Sequence, residues 1–520
     1  MTYATANETL PIPRYWIGAG LVLAILLSVV PILAHPNLPL IDLPNHIARH
    51  YIAANPETAL SVYYDYELAA NGNSTGDLLW LVAGRHFFDP YTFSSILLAL
   101  YAANLVLATM VLGRVFQDRW TAWPLVAILV VFNAPFFWGF QNFLLAVPLA
   151  LYALAGWIWY ENARPWMRAL VFMPVAFAIY QLHVLGFLGL LAGIFGREVH
   201  RLFQAGSNWP LHFKTHLVSA TPFLPPIGLA LAGALAAEPN IYGNMTHYGT
   251  LQSRFDMLVS PVATASADAP AVLRWTGAFI ILALGAAFLT LRKSSGPRLV
   301  LAPKAVGPIC ALAILCLAMP TILDGVGFVH IRFPVVLVAV LLAATSWRGV
   351  SLAQSVAIAL VFITLAVWRS ASVENYAEQH SDDIAKLATV LSEVPPGARL
   401  LPVRMTPRSS GRTDWHIQAH AVPISEAFVP TLFRGAHSLK VNPDWWHLTM
   451  VPGMSMPAQF ILGDAAIPSE RLNGYWPDGI SSYTHLLALD PLPPELTQDA
   501  DLKLLSTNGR FSVYAIGGQP

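Results

Sequence analysis

The most chemically suggestive part of the sequence is a short segment that combines an acid, an imidazole and a guanidinium at helical spacing. Residues 42–49 read DLPNHIAR, so Asp42, His46 and Arg49 stand at positions i, i+4 and i+7 and share one face of a helix. Such a face could hold a phosphate-bearing substrate, with Asp42 as the general base for an attacking hydroxyl. The alternative is an interfacial helix that Asp42 caps and from which Arg49 reaches toward water.

A second polar segment stands just before an apolar stretch. Residues 324–334 read DGVGFVHIRFP and bring Asp324, His330 and Arg332 into one short loop. An arginine in this position could bind a lipid-linked phosphate through two parallel hydrogen bonds. The alternative is an arginine that only extends to the interface from a helix end.

Further polar residues fall at the ends of apolar stretches rather than in their middles. Asn142, His183 and Arg254 belong to this group, together with the two segments above. Because ionisable groups at membrane depth are costly, they usually face a cavity or one another. We therefore predict one water-accessible pocket at a single face of the protein. The alternative is that every loop simply carries some polar residues.

Other patterns indicate little chemistry. His416 and His420 are four residues apart, as zinc ligands can be, and Asp414 is close by, but the three match no recognisable metal motif. We predict no cofactor; a divalent metal is the alternative, but no paired-acid motif supports it. The 29 basic and 29 acidic residues give zero net charge, so nothing indicates a nucleic-acid partner.

The chain around these residues has the composition of a polytopic membrane protein. Its 520 residues are 56% hydrophobic and 11% charged, whereas ordinary soluble domains are roughly 25% charged. Uncharged helical stretches of about 20 residues are long enough to cross a bilayer. The predicted spans, about eleven of them, are 15–34, 91–112, 120–133, 140–160, 166–181, 183–200, 215–236, 274–291, 305–322, 331–347 and 350–368.

Basic residues predict the orientation of these spans, because cytoplasmic loops carry an excess of Lys and Arg. With the N-terminus inside, thirteen basic residues fall in inner segments: Arg14, Arg114, Arg119, Arg164, Arg168, Arg197, Arg201, Lys214, Arg292, Lys293, Arg298, Lys304 and Arg348. Five fall in outer segments before the tail: Arg49, Arg85, Arg254, Arg274 and Arg332. This bias requires that 166–181 and 183–200 be two short helices that meet at 181–183. One long tilted helix is the alternative.

We predict a membrane all-α polytopic bundle followed by a soluble α/β domain, with a multi-pass transmembrane domain at 1–370 and an extracytoplasmic domain at 371–520. The outer loop 35–90 carries candidate amphipathic helices around 45–54 and 77–88, which would lie along the membrane surface. In the tail, residues 382–394 have helical spacing. Four segments have the composition of short strands, namely 398–403, 460–463, 483–489 and 511–516.

This layout resembles the GT-C superfamily of integral-membrane glycosyltransferases, which use polyprenyl-phosphate sugars. The shared features are a first span, a long outer loop that opens with an acidic residue, many hydrophobic helices and an outer C-terminal domain. The family's first-loop acid, its catalytic base, matches Asp42. Many members carry a second acid beside the first, whereas this chain has Ile41-Asp42-Leu43, so a metal bound by paired acids is not indicated. Residues 42–46 and 138–143 also resemble segments of uncharacterised bacterial membrane proteins.

The resemblance implies roles for the other candidate residues. Arg332, with Arg49 or Arg254, would stabilise the departing phosphate, and His46 and His330 would hydrogen-bond the sugar or phosphate. It also implies a lipid-linked sugar donor, contact with membrane lipid, and an acceptor that the sequence does not identify.

The expected location is the inner (plasma) membrane, with the N-terminus cytoplasmic and the C-terminal domain outside, where it would cover the pocket. A rival hypothesis is a non-catalytic carrier or scaffold for envelope polysaccharide or lipid-linked intermediates. We find no internal repeat of the kind typical of transporters, which favours the enzyme.

Overall fold

The computed structural model describes residues 14–68, 72–206, 209–236, 245–324, 326–405, 412–434, 438–450, 455–458, 479–499 and 502–517. In chain order its α-helices are α1 (Arg14–Leu33), α2 (Leu43–Ala54), α3 (Thr75–Leu79), α4 (Arg85–Phe87), α5 (Pro90–Gln117), α6 (Ala134–Trp138), α7 (Gln141–Trp159), α8 (Pro165–Leu182), α9 (Val184–Gln204), α10 (Trp209–Ala220), α11 (Leu224–Ala236), α12 (Leu251–Val259), α13 (Ala271–Leu289), α14 (Val306–Ala318), α15 (Phe333–Ala344), α16 (Leu352–Leu391), α17 (Ala421–Ser425) and α18 (Pro494–Asp499).

The strands are short and most belong to the C-terminal part of the chain. They are β1 (Tyr64–Tyr66), β2 (Arg298–Leu301), β3 (Ile322–Leu323), β4 (Val326–Gly327), β5 (Thr345–Arg348), β6 (Leu400–Arg404), β7 (Leu439–Val441), β8 (Met456–Pro457), β9 (His485–Ala488), β10 (Leu502–Asn508) and β11 (Phe511–Ile516).

The helical part is a multi-pass membrane bundle. Among the described residues, seven helical segments are long and apolar enough to cross a bilayer: α1, α5, α7, α8, α13, α16 and the continuous segment His216–Gly233 in α10 and α11. Three shorter apolar segments, Trp123–Trp138, Pro303–Ala318 and Phe333–Ala344, pack with them. With α9, these segments fall on the spans that the sequence predicts. The polytopic all-α bundle is therefore confirmed.

The stretch from 166 to 200 forms two helices, as the distribution of basic residues requires. His183 separates α8 from α9 with an extended backbone, at φ −166° and ψ 123°. Its ring Nδ1 accepts a hydrogen bond from the backbone N–H of Leu185 at 3.0 Å, which caps α9. A single tilted helix is excluded. The two helices have 18 and 21 residues, long enough for each to cross most of a bilayer.

The loops of the bundle separate into two opposite ends. At one end β2 pairs antiparallel with β5, Lys304 bonds Asp118 at 2.9 Å, and Arg197 bonds Glu161 at 2.7 Å. The opposite end carries the loop before α2, the loops around α6 and α12, and the C-terminal domain. The basic residues assigned to inner segments thus collect at the end away from the C-terminal domain.

The C-terminal domain is a mixed α/β unit, as predicted. Its five-stranded sheet has the order β10-β11-β9-β6-β8, in which β6 is parallel to β9 and to β8, while β11 is antiparallel to its neighbours. Strands β6, β9 and β11 lie on three of the predicted strand segments, and the fourth, 460–463, lies outside the described residues. Strand β10 was not predicted, and none of its seven residues is buried.

A single long helix joins the bundle to this domain. Helix α16 has 40 residues, about 60 Å at 1.5 Å per residue. It passes through position 370 without a break and includes most of the predicted helix at 382–394. In its middle the buried Arg369 donates to the backbone oxygens of Leu273 and Phe132 at 2.6 and 2.7 Å, among other acceptors. The boundary drawn at 370 therefore lies inside a continuous element.

The outer loop is organised differently from the expectation of two surface helices. Helix α2 is buried between two cores: Leu43 and Ile47 pack into the bundle, and Ala48 and Ile52 pack into the C-terminal domain. Strand β1 of this loop pairs antiparallel with β7 of the C-terminal domain. The prediction that α2 lies along the membrane surface is therefore wrong, because both its apolar and its polar faces contact other parts of the protein.

The second predicted amphipathic segment keeps an exposed apolar side. It comprises α3, a turn of π-helix at Trp80–Gly84, and α4. Val82 and Phe87 are 68% and 78% exposed just before α5 enters the bundle. Exposed apolar side chains next to the start of a membrane helix are typical of an interfacial segment.

Candidate functional site

Asp42 stands at the end of the bundle that faces the C-terminal domain, directly before α2. Its backbone N–H donates to the carbonyl of Trp138 at 2.9 Å, and the N–H of Ile41 donates to that of Phe137 at 3.0 Å. Gly139 makes this approach feasible, because its φ is +79° and a Cβ there would lie 3.0 Å from the backbone nitrogen of Leu43. The two segments 42–46 and 138–143, far apart in sequence, are therefore in contact.

The carboxylate of Asp42 does not cap the helix that it precedes. No hydrogen bond runs from its side chain to the first turn of α2. In the described part of the chain, its one contact within 4 Å with a basic side chain is to His416, whose Nε2 lies 3.4 Å from Oδ1. The Asp42 side chain is 13% exposed, so it is partly accessible to solvent. A carboxylate with this access and without an arginine or lysine partner can accept a proton.

Arg332 is a buried cation in the same region. Its Nη1 lies 3.0 Å from Nε2 of His183, and its guanidinium lies 3.9 Å above the centre of the Phe140 ring and 5.6 Å from that of Phe143. Its Nε has no hydrogen-bond partner, and among the described residues no carboxylate forms an ion pair with it. The carboxylate of Asp42 is close enough to stabilise the guanidinium electrostatically.

The hydrogen-bond chemistry of His183 leaves Arg332 with spare donors. Nδ1 of His183 already accepts from the N–H of Leu185. A neutral imidazole has one acceptor nitrogen, so its Nε2 then carries the proton and cannot accept from Arg332. The guanidinium therefore has donor capacity that the surrounding protein does not use, which suits an anionic ligand.

Arg49 and His46 are engaged elsewhere, contrary to the expectation of one face shared with Asp42. Arg49 donates from Nε and Nη2 to Oδ1 of Asp77 at 3.0 and 2.9 Å, and both side chains are only 3% exposed. His46 Nδ1 lies 3.0 Å from Arg49 Nη2, and His50 Nε2 lies 3.2 Å from Asp77. Burial opposes ionisation of Asp77, but Arg49 and His50 outweigh it and hold its pKa below the usual range. The ion pair fixes α2 to α3 and removes Arg49 from the set of phosphate binders.

Asn142 also has a structural partner. Its Nδ2 donates to the backbone carbonyl of Asn73 at 2.7 Å and to its side-chain oxygen at 3.0 Å. A Cβ added to Gly76 would lie 2.5 Å from Oδ1 of Asn142, so the start of α3 is held tightly against α7. Asn142 thus positions the outer loop rather than facing the pocket.

The remaining predicted residues form a separate group. Arg254 donates to the carbonyls of Met319 and Tyr248 at 2.8 and 2.9 Å, which occupies its guanidinium at the end of α14. Burial lowers the pKa of His330 to about 4, with a further contribution from Arg254. Asp324 is exposed in the turn between β3 and β4, at φ 49°. Of the nine predicted residues, the structure brings together Asp42, Arg332 and His183.

The described residues contain no cluster of side chains that could bind a metal ion. Among them no group of three or more His, Cys, Asp or Glu side chains is placed to hold an ion. His416 contacts Asp42, whereas Nδ1 of His420 lies 3.0 Å from the hydroxyl of Tyr91. The two histidines that are four residues apart therefore point to different partners.

The sequence reasoning missed several residues that shape this pocket. Phe140 and Phe143 flank Arg332, and Gly139 allows the chain to pass close to Asp42. From their segment the sequence analysis singled out only Asn142 as a candidate site residue, besides its resemblance to other membrane proteins. His416 was weighed only as a metal ligand, because nothing in the spacing along the chain relates it to Asp42.

The bundle, the long first outer loop with its acid and the C-terminal domain are arranged as in solved structures with the GT-C fold. Two solved structures of ArnT from Cupriavidus metallidurans are similar over nearly their whole length. The apo structure has a TM-score of 0.50 at 11% identity and covers 97% of this chain and 99% of that one. The structure bound to undecaprenyl phosphate has a TM-score of 0.50 at 12% identity, covering 98% and 100%.

A third similar structure is the arabinofuranosyltransferase AftD from Mycobacteria, with a TM-score of 0.50 at 14% identity. It covers 99% of this chain and 40% of that longer one. No family model matches the chain, and no curated protein matches it in sequence. At these identities the likeness establishes a shared fold.

Proposed function

We propose that the protein is a membrane glycosyltransferase that moves a sugar from a polyprenyl-phosphate donor to an acceptor hydroxyl. The support is a GT-C fold together with a proton acceptor, Asp42, and an available buried cation, Arg332, at one end of the bundle. The fold's similarity to ArnT, which has been solved with undecaprenyl phosphate, supports a lipid-linked donor.

The observation that carries the proposal is the state of Arg332. A cation at 6% exposure without a carboxylate partner is costly, because burial removes its hydration. His183 cannot accept a hydrogen bond from it, and the faces of Phe140 and Phe143 supply only weak compensation. A phosphate bound at Arg332 would supply the missing charge and accept two parallel hydrogen bonds.

The reaction that this geometry supports is a displacement at the anomeric carbon. The acceptor oxygen attacks that carbon, and its proton passes to the carboxylate of Asp42. The bond between the anomeric carbon and the phosphate oxygen breaks, and its electron pair leaves with the polyprenyl phosphate. Arg332 stabilises the charge that develops on this phosphate, as preorganised donors do in other transfer reactions.

The distribution of basic residues supports one orientation of the protein in the membrane. Arg197, Arg201 and Lys304 lie at the end of the bundle opposite the C-terminal domain, and the excess of basic residues at that end favours a cytoplasmic position. We therefore place the C-terminal domain and the pocket outside the cytoplasmic membrane. Donor and acceptor would meet there.

The test is sugar transfer by purified protein in lipid nanodiscs. A panel of undecaprenyl-phosphate sugars labelled in the sugar is supplied, and release of free sugar or transfer to added membrane lipid is followed. Because Asp42 is the proposed base, Asp42→Asn should lower the rate by at least about 100-fold, the usual contribution of general base catalysis. The variant should remain folded, since its carboxylate makes no hydrogen bond to α2.

A matched control is Asp324→Asn. Asp324 is exposed in a turn with φ 49°, a conformation that asparagine adopts readily. This variant should keep the wild-type rate. Equal activity of Asp42→Asn and wild type would reject the mechanism. Donor binding without turnover by the wild-type protein would instead identify a carrier or scaffold.

A further inference from the structure

One buried histidine of the C-terminal domain lies against the proposed base. His416 precedes the short 3₁₀ helix Ile417–His420 and is 1% exposed. Its Nε2 lies 3.4 Å from Oδ1 of Asp42, and the two atoms do not form a hydrogen bond in this arrangement. A small rotation of the Asp42 side chain would bring the two groups into hydrogen-bond geometry.

The ring of His416 has no other polar partner. Both of its nitrogens are buried, and neither has a hydrogen-bond partner in the part of the chain that the structure describes. Burying two unsatisfied ring nitrogens costs free energy that a purely structural apolar residue would avoid. The contact with Asp42 is the interaction that explains a histidine at this position.

The surroundings of His416 fix its ring. The ring centre lies 4.5 Å from that of Trp415, and the ring meets Phe433 edge to face at 5.0 Å. Two residues earlier, Asp414 accepts hydrogen bonds from Arg404 at 3.1 Å and from Arg510 at 2.7 Å. Trp415 in turn packs edge to face on Trp138 at 6.2 Å, beside the carbonyl that anchors Asp42.

We infer that His416 is a positioning residue of the transferase site, and that the C-terminal domain thereby completes the site. Its ring holds one oxygen of the Asp42 carboxylate, so that the other faces the acceptor hydroxyl. The inference rests on the proposed function. It goes further in assigning the C-terminal domain a direct part in orienting the base instead of only covering the pocket.

The test compares two substitutions of His416 in nanodiscs, with the undecaprenyl-phosphate sugar that the wild-type protein turns over. His416→Leu removes the ring nitrogens, and kcat should fall about tenfold or more while KM for the donor stays unchanged, because only the orientation of the base is lost. His416→Gln carries an amide N–H at a position comparable to Nε2 and should recover most of the lost kcat.

His420→Leu is the matched control. His420 ends the same 3₁₀ helix and is 2% exposed, but its partner is Tyr91. It should keep the wild-type kcat in protein that remains monodisperse. Affinity for undecaprenyl phosphate alone should be the same in all three variants, since Arg332 is untouched.

The outcomes separate the two claims. Full kcat in His416→Leu, or an equal loss in His416→Leu and His416→Gln, would overturn the positioning role while leaving the transferase proposal intact. A wild-type protein that releases and transfers no sugar from any donor would overturn both.

Discussion

Gly139 offers a test of how tightly the base is held, because Gly139→Ala changes only one methyl group next to it. The added Cβ would lie 3.0 Å from the backbone nitrogen of Leu43, 3.2 Å from that of Asp42 and 3.4 Å from Cβ of Leu40. None of these atoms is the end of a flexible side chain. The backbone at Asp42 must therefore move.

The size of the effect follows from these distances. Carbon contacts are unstrained from about 3.5 Å, so the backbone would shift by roughly 0.3–0.5 Å. A displacement of 1 Å at a reacting group can cost about 100-fold in rate, so a shift of this size costs roughly four- to tenfold in kcat. A non-glycine residue at φ +79° also lowers stability by about 1–2 kcal/mol.

Gly296→Ala separates the shift of Asp42 from the backbone strain. Gly296 has φ +73° and no atom within 4 Å of an added Cβ, so its variant carries the strain without the close contact. The assay is kcat for sugar transfer per mole of monodisperse protein. If Gly139→Ala loses no more activity than Gly296→Ala, the contact with segment 138–143 does not position Asp42 and the reasoning fails.

Two further variants test other parts of the pocket. Arg332→Gln should weaken binding of undecaprenyl phosphate in nanodiscs by about 2–5 kcal/mol, roughly 30-fold or more in Kd, because the buried cation is lost. Arg254→Gln is the control and should keep the wild-type affinity. Unchanged affinity in Arg332→Gln would reject the phosphate site. His420→Gln addresses the dependence of stability on pH. Burial, with the nearby His380, lowers the pKa of His420 to about 3 from 6.5, so its contribution is complete above pH 6.5 and is lost as pH falls toward 3, by about 1.4 kcal/mol per pKa unit. The wild-type melting temperature should therefore fall more steeply between pH 7 and pH 5 than that of His420→Gln, and equal slopes would refute this.

The membrane bundle could be predicted from the sequence because the signals for each span lie within the span and its flanking loops. A span is an uninterrupted apolar stretch, and the side to which a loop belongs follows from its own basic residues. The same local logic separated α8 from α9 at His183. In the tail, apolar runs between turn residues gave three strands of the sheet, but β10 has too few buried positions to be recognised.

The candidate site was less predictable because its contacts are not local. The spacing of Asp42 and Arg49 does correspond to one face of a helix. Spacing along the chain cannot predict, however, that Arg49 forms an ion pair with Asp77. A polar face on an amphipathic helix looks the same whether water or a second domain covers it, so the burial of α2 was missed. The pairing of Asp42 with His416 depends on the docking of the C-terminal domain, which no spacing along the chain encodes.

Helix α16 and the pairing of β1 with β7 have a mechanical consequence. The first half of α16 is anchored in the bundle by Arg369, and its last turns supply Leu387 and Leu391 to the core of the tail. The outer loop of the bundle makes a further connection to the tail, because its strand β1 pairs with β7. Bundle and tail are thus joined by α16, by the pairing of β1 with β7, and by α2, which packs into both cores. Removing the tail would therefore expose apolar side chains of α2 and α16 that are buried in its core.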